Sequence, residues 1–187
     1  MTILQTERLI IRNWQERDRD LFHRINADDQ VMAYFPFRRD RAASNALMDA
    51  MIKQINAEGF GWMAAELAAT GECIGFIGLH PVEIDGIAPV NSHEIGWRLA
   101  PEYWGKGYVT EGATALVDFA FDTLGFDEVI SFAVWNNVRS TAVMERLGMR
   151  YERDFDHPKV PDTHPQLKRH RLYRLQKTDW NAGRRTH

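Results

Sequence analysis

Residues 94–120, EIGWRLAPEYWGKGYVTEGATALVDFA, constrain the fold of this chain more than any other stretch. Ile95, Trp97 and Leu99 alternate as a strand requires, and Val109, Ala113, Leu116, Val117, Ala120, Phe121 and Leu124 recur on one helical face. Between them lies a short turn, Trp104-Gly105-Lys106-Gly107-Tyr108. Glycine lets backbone approach a ligand closely, and the first turn of the following helix has amide N–H groups without internal partners, so the turn is expected to attract an anion. The stretch EVISFAV, Glu128–Val134, follows the helix directly and is rich in strand-forming residues. Together these segments predict a right-handed strand, helix, strand crossover with neighbouring parallel strands.

The flanking sequence supplies the rest of one expected domain, residues 1–187, ending in a polar tail from about residue 178. Leu9–Ile11 reads as a first strand, and the charged run Glu16–Asp20 opens a helix through about Ala27. Met32–Arg39 is an aromatic loop containing Pro36. Ala42, Ala46, Leu47, Ala50, Met51 and Ile55 mark a second amphipathic helix ending near Gly59. Phe60–Leu67 and Cys73–His80 flank Thr70-Gly71-Glu72 and predict an antiparallel hairpin, followed by a loop over Ile84–Ser92 with Gly86 and Pro89. Asn137 is expected to cap a helix ending at Gly148, with Val138, Ala142 and Leu147 on its inner side. Arg150–Phe155 and Lys168–Leu175 read as final strands. Asn181–His187 is the polar tail, with Arg184 and Arg185 as surface charge.

Composition narrows the function classes. A net charge of −3 and a pI near 6.2 lack the basic excess that general nucleic-acid binding requires. No apolar run is long enough to cross a membrane and Met1 opens no signal-peptide pattern, so the cytoplasm is the expected compartment. Cys73 is the single cysteine, and no Cys/His spacing suggests zinc, so no metal is expected. The turn also departs from two common phosphate-binding patterns. A P-loop needs Ser or Thr after its Gly-Lys pair, whereas Lys106 precedes Gly107; a dinucleotide-binding turn needs G-x-G-x-x-G, whereas residue 110 is Thr110.

The pair of motifs EIGWRLAPEYWGKGYVTEG and NNVRSTAVMERLGM, in this order, resembles the GCN5-related N-acetyltransferases, and most the branch with the ribosomal-protein acetyltransferases RimJ and RimL. The resemblance runs from ERLIIRNW through Met149. It implies an α/β (α+β) fold with a mixed, mostly antiparallel sheet of about six to seven strands flanked by about four helices. It also implies acetyl-CoA as co-substrate. Trp104, Gly105, Lys106, Gly107, Tyr108, Val109 and Thr110 would hold the pyrophosphate, Leu99 and Ala100 would pair with the pantetheine arm, and Asn137 would hold the cofactor from the other side. Trp104 and Val109 depart from the wider pattern Q/R-x-x-G-x-G/A.

Acetyl transfer sets chemical requirements on these residues. An alkyl amine titrates near about 10.4 and must lose a proton before attacking a thioester. Glu94, at the start of the central strand, is the expected base, directly or through a water; His93 alternates to the other face. A strand N–H near Leu99 would stabilise the oxyanion. Many members of the family use a helix tyrosine to protonate the leaving thiolate, but Met144 occupies that place here, so Ser140 of Asn137-x-x-Ser140 is the expected donor. Tyr34, Phe35, Phe37 and His80 are candidates for the acceptor wall. Cys73 has no base partner in sequence, so direct attack in a ternary complex is expected. The resemblance implies an amine acceptor, either a protein N-terminal α-amine or a small molecule, and a homodimer. A catalytically silent acyl-CoA sensor is the alternative that Met144 keeps open.

Overall fold

Leu9 to Arg12 is the first segment in which consecutive residues are nearly all withdrawn from water, and it anchors a sheet that runs through the whole chain. A computed structural model describes residues 2–184. In chain order the elements are β1 (Thr2–Gln5), β2 (Leu9–Arg12), α1 (Arg19–Ala27), α2 (Arg41–Glu58), β3 (Trp62–Leu67), β4 (Cys73–Ile84), β5 (Ala88–Leu99), α3 (Tyr108–Asp118), β6 (Glu128–Val134), α4 (Val138–Arg146), β7 (Arg150–Asp156), β8 (Arg169–Gln176) and α5 (Lys177–Arg184). The sheet has eight strands in the order β1-β2-β3-β4-β5-β6-β8-β7. The pairs β1–β2, β2–β3, β3–β4, β6–β8 and β7–β8 are antiparallel, whereas β5 and β6 run parallel with Glu94 opposite Ile130.

The mixed class expected from sequence is present, with more elements than expected. Thr2–Gln5 forms an edge strand that its four residues do not announce by alternation. The segment 84–92 is a tight hairpin rather than a loop: β4 extends to Ile84, Asp85–Ile87 turn, and β5 begins at Ala88. Gly86 lies in the turn and Pro89 at the start of β5. The segment expected as a polar tail is helical from Lys177 to Arg184, and the Trp180 indole donates to Asp118 at 2.8 Å; residues 185–187 lie outside the described residues.

Two compact units divide the chain. The first comprises Met1–His80 and Gly96–Leu116. Its core includes Leu9, Ile11, Phe22, Ile25, Met48, Ile55, Met63, Ile74, Ile77 and Leu79, all fully enclosed. The inner stripe of α2 is Ser44, Met48, Met51 and Ile55, correcting the alanine-based face, because alanines are tolerated on either side of a helix and do not define one. Buried Arg12 holds Asp18 at 2.7 Å and Glu66 at 2.6 Å, so the charges within this core are paired. A Cβ at Gly112 would come within 2.6 Å of Ile77 and 3.2 Å of Leu9, so α3 lies directly on β2 and β4, fixing the turn that precedes it.

The second unit comprises Pro81–Ile95 and Val117–His187. Ile84, Ala88, Ile130, Phe155 and Leu172 form one of its apolar clusters. On α4 the buried residues are Thr141 and Met144, followed by buried Leu147. Val138, expected inside, is 69% exposed because the cap at Asn137 turns the first residue of the helix outward.

Candidate active site

The glycine turn is built from both sides. Ahead of it, Pro101–Tyr103 makes one 3-10 turn, and the Trp104 indole donates back to the Leu99 carbonyl at 2.8 Å. Gly105 and Gly107 have φ of 71° and 81°, where side chains other than glycine are strained. Nothing lies within 4 Å of a Cβ built at Gly105, so its glycine serves the backbone turn rather than a tight contact. Behind it, α3 starts at Tyr108 and the Glu111 N–H donates to the Gly107 carbonyl at 3.0 Å. Successive amides turned this way, with the free amides of a helix start, form a concavity suited to phosphate oxygens.

Three residues that sequence reasoning missed hold this turn. Glu111 accepts from the Thr6 hydroxyl at 2.5 Å, the Arg8 N–H at 2.8 Å and Arg8 Nε at 2.6 Å. Arg8 Nη1 also donates to the Lys106 carbonyl at 3.0 Å, and its guanidinium lies 4.7 Å from the Tyr108 ring. Burial acts to raise the Glu111 carboxyl, but the bonds from Thr6 and Arg8 outweigh it and hold the group below its ordinary range. An acid in a helix first turn is a visible signal; its partner 103 residues away is not. The Lys106 ammonium lies 5.4 Å from the Tyr103 ring, so two cations, Lys106 and Arg8, attend the turn.

The strand end is partly committed. The Ala100 N–H donates to Ile74 at 3.0 Å and its carbonyl accepts from Tyr103 at 3.0 Å, while Leu99 gives its carbonyl to Trp104. Leu99 and Ala100 are both buried.

The acceptor candidates of the first unit fall into two connected groups. Phe35 and Phe37 pack at 5.9 Å, and both are more than a third exposed; Tyr34, immediately before them in sequence, is half-buried. His80 stacks on Trp62 at 5.4 Å and 15°, and Trp62 lies 5.7 Å from Phe76. Arg98, which sequence reasoning passed over as a strand residue, joins the groups: its guanidinium lies 4.4 Å from the Phe35 ring and 5.2 Å from the Phe76 ring. Burial, and then nearby Arg39, push Arg98 down to about 10.

In the second unit, Glu94 sits half-buried in the parallel pairing of β5 with β6. Burial pushes its carboxyl up to about 8, with Lys159 opposing. His93 stacks on Phe126 at 3.7 Å. Asn137 accepts the Ser140 N–H at 3.3 Å, as an N-cap should, and Ser140 stays half-buried. Met144 is 1% exposed, a core residue of α4. Cys73, in the first unit, is pushed up to about 12 by burial, so little thiolate forms near neutral pH. Among the described residues no group of three or more His, Cys, Asp or Glu is placed to hold a metal, and no helix is long and apolar enough to cross a membrane.

Comparison with known proteins adds an independent line. A family model described as an acetyltransferase (GNAT) domain matches residues 8–150. The chain is 31% identical over 156 residues to YkkB of Bacillus subtilis (strain 168), a protein named as uncharacterized, covering 81% of this chain and 87% of that one. It is 31% identical over 159 residues to the FsC-acetyl coenzyme A-N(2)-transacetylase of Aspergillus fumigatus, covering 81% of this chain and 66% of that protein. The crystal structure of a GNAT-family acetyltransferase from Bacillus anthracis is similar in fold, with a TM-score of 0.79 and 24% identity over 95% of this chain and 99% of that one.

Proposed function

The chain belongs to the GNAT acetyltransferase family, and on that premise we propose that it moves the acetyl group of acetyl-CoA to a primary amine by direct attack within a ternary complex. The observation that carries the proposal is the turn Trp104–Gly107. Two left-handed glycines open into the start of α3, Arg8 and Glu111 brace the loop, and Lys106 adds charge. This is the chemistry a pyrophosphate needs.

The remaining roles follow from what the reaction demands. Trp104 to Thr110 take the pyrophosphate, and Asn137 takes a further cofactor contact beyond its capping bond. The strand edge centres on Leu99, since the N–H of Ala100 is spent on Ile74. Glu94 takes the proton from the ammonium, directly or through a water; an acid titrating near 8 is matched to an α-amine at about 7.7–8.0. The amine then bonds to the thioester carbon, the C–S bond breaks, and Ser140 hydrogen-bonds the departing sulfur. Met144 in the core supplies no donor. The acceptor is a protein N-terminal α-amine or a small-molecule amine, held in part by Tyr34, Phe35, Phe37 and His80.

The test incubates the purified protein with acetyl-CoA and a panel of N-terminal peptides and small amines while following free thiol. Acceptor-dependent thiol release is the expected result. Tight coenzyme A binding with no turnover on any acceptor would instead favour the acyl-CoA sensor.

A further inference from the structure

The first unit contains two arginines that no carboxylate neutralises. Neither Arg98 nor Arg39 forms an ion pair with an acid among the described residues, although most arginines of the fold do. Arg98 is half-buried, and withdrawing an unpaired charge even in part from water is costly unless something else compensates it. Its protein partner is neutral: Arg98 Nη1 donates to Asn26 Oδ1 at 2.6 Å.

Asn26 is the centre of this arrangement. It is fully buried, its Nδ2 is fixed on the Phe22 carbonyl at 2.7 Å, and its backbone carbonyl accepts the Arg39 N–H at 3.0 Å. One residue thus sets both ends of the arrangement: its side-chain oxygen holds the guanidinium of Arg98 and its backbone carbonyl holds the end of the 32–39 loop. That loop returns Phe35 to 4.4 Å from Arg98 and places Arg39 4.7 Å from the Phe37 ring. With the rings of Phe35 and Phe76 over the guanidinium carbon, a ligand approaches Arg98 along its edge. A planar carboxylate fits that edge in a two-bonded pair, and the exposed rings of Phe35 and Phe37 offer an apolar wall beside it.

We infer that Arg98, oriented by Asn26 and supported by Arg39, is a specificity-determining residue that binds a carboxylate carried by the amine acceptor. The site therefore takes acceptors with an amine at one end, an apolar body, and a carboxylate. This assignment rests on the acetyl-transfer reading above for what occupies the site, but its test does not require turnover.

The probes are the matched pair N-acetylphenylalanine and N-(2-phenylethyl)acetamide, which share the acetamide and the ring and differ in the carboxylate. Each is titrated calorimetrically into the full-length protein with saturating coenzyme A. Wild type is expected to bind the carboxylate member at least about tenfold more tightly. Arg98→Lys keeps the charge but loses the fork and should shrink the preference to about threefold or less, and Arg98→Met should abolish it. Coenzyme A affinity of each variant reports folding; if Arg98→Met does not fold, wild type and Arg98→Lys still decide. Equal binding of the two probes to wild type, binding of neither, or an undiminished preference in Arg98→Lys would overturn the assignment. Absence of thiol release with every acceptor strikes at the catalytic proposal instead, and leaves the binding preference standing.

Discussion

Replacing Glu94 by glutamine separates the cost of burying this carboxylate from its use. Its carboxyl is shifted from 4.5 to about 8 by burial, which amounts to about 5 kcal/mol against the charged form in the folded state. Part of the group still meets solvent, so about half of that should register in unfolding. The sign follows from a folded-state value raised above the unfolded one. The protonated acid is free of penalty below about 4.5, and stability is lost as pH rises from there through about 8. Glu94→Gln should therefore match wild type at pH 5 and exceed it by about 2–3 kcal/mol at pH 9. Urea unfolding followed by tryptophan fluorescence at several pH values measures this directly. The same variant should lower kcat/KM by about 10²–10⁴ and remove an alkaline-rising limb centred near 8, tested with an acceptor whose amine titrates well below that pH. Equal pH dependence of stability in the two proteins would refute the burial argument. A kcat/KM unchanged by the substitution would refute the base assignment while leaving the stability result intact.

Other perturbations test the remaining supports. Gly107→Val forces a β-branched residue to φ 81°, with its Cβ 3.4 Å from Arg8, and should weaken coenzyme A by about tenfold, read by calorimetry; unchanged affinity would remove the turn from the cofactor site. Arg12→Ala leaves Asp18 and Glu66 without their buried partner and should cost about 3–5 kcal/mol in urea unfolding, whereas a loss under about 1 kcal/mol would show the pair to be solvated. Asn137→Ala should cost about 1 kcal/mol through the lost cap of α4. If Asn137 also contacts the cofactor, coenzyme A affinity falls in the same variant; Asn137→Asp, which keeps the cap, then restores stability without restoring affinity.

Much of the architecture was legible because it is local. The alternation of Ile95, Trp97 and Leu99, the helical face from Val109 to Phe121, the parallel strand at Glu128–Val134 and the cap at Asn137 all appear where near-neighbour patterns place them. Their causes lie within a few residues: side-chain period, capping and glycine's access to positive φ. Other features depend on which apolar face finds which partner. The alanines of α2 suggested a face, and Met48 and Ser44 showed the actual one. Hairpin pairing turned 84–92 into strands, and packing drew Met144 into the core of α4.

The candidate site divides along the same line. The conformation of the glycine turn at Trp104–Gly107 was readable in one dimension, because it is set by adjacent backbone groups. Its brace was not: Thr6 and Arg8 meet Glu111 only after β2 and α3 have packed through Gly112. Arg98 looked like any polar residue on an alternating strand until Asn26, Phe35 and Phe76 gathered around it. A sequence specifies which charges exist and which backbone can turn; burial, which sets what a charge costs and what it can bind, is a property of the folded neighbourhood alone.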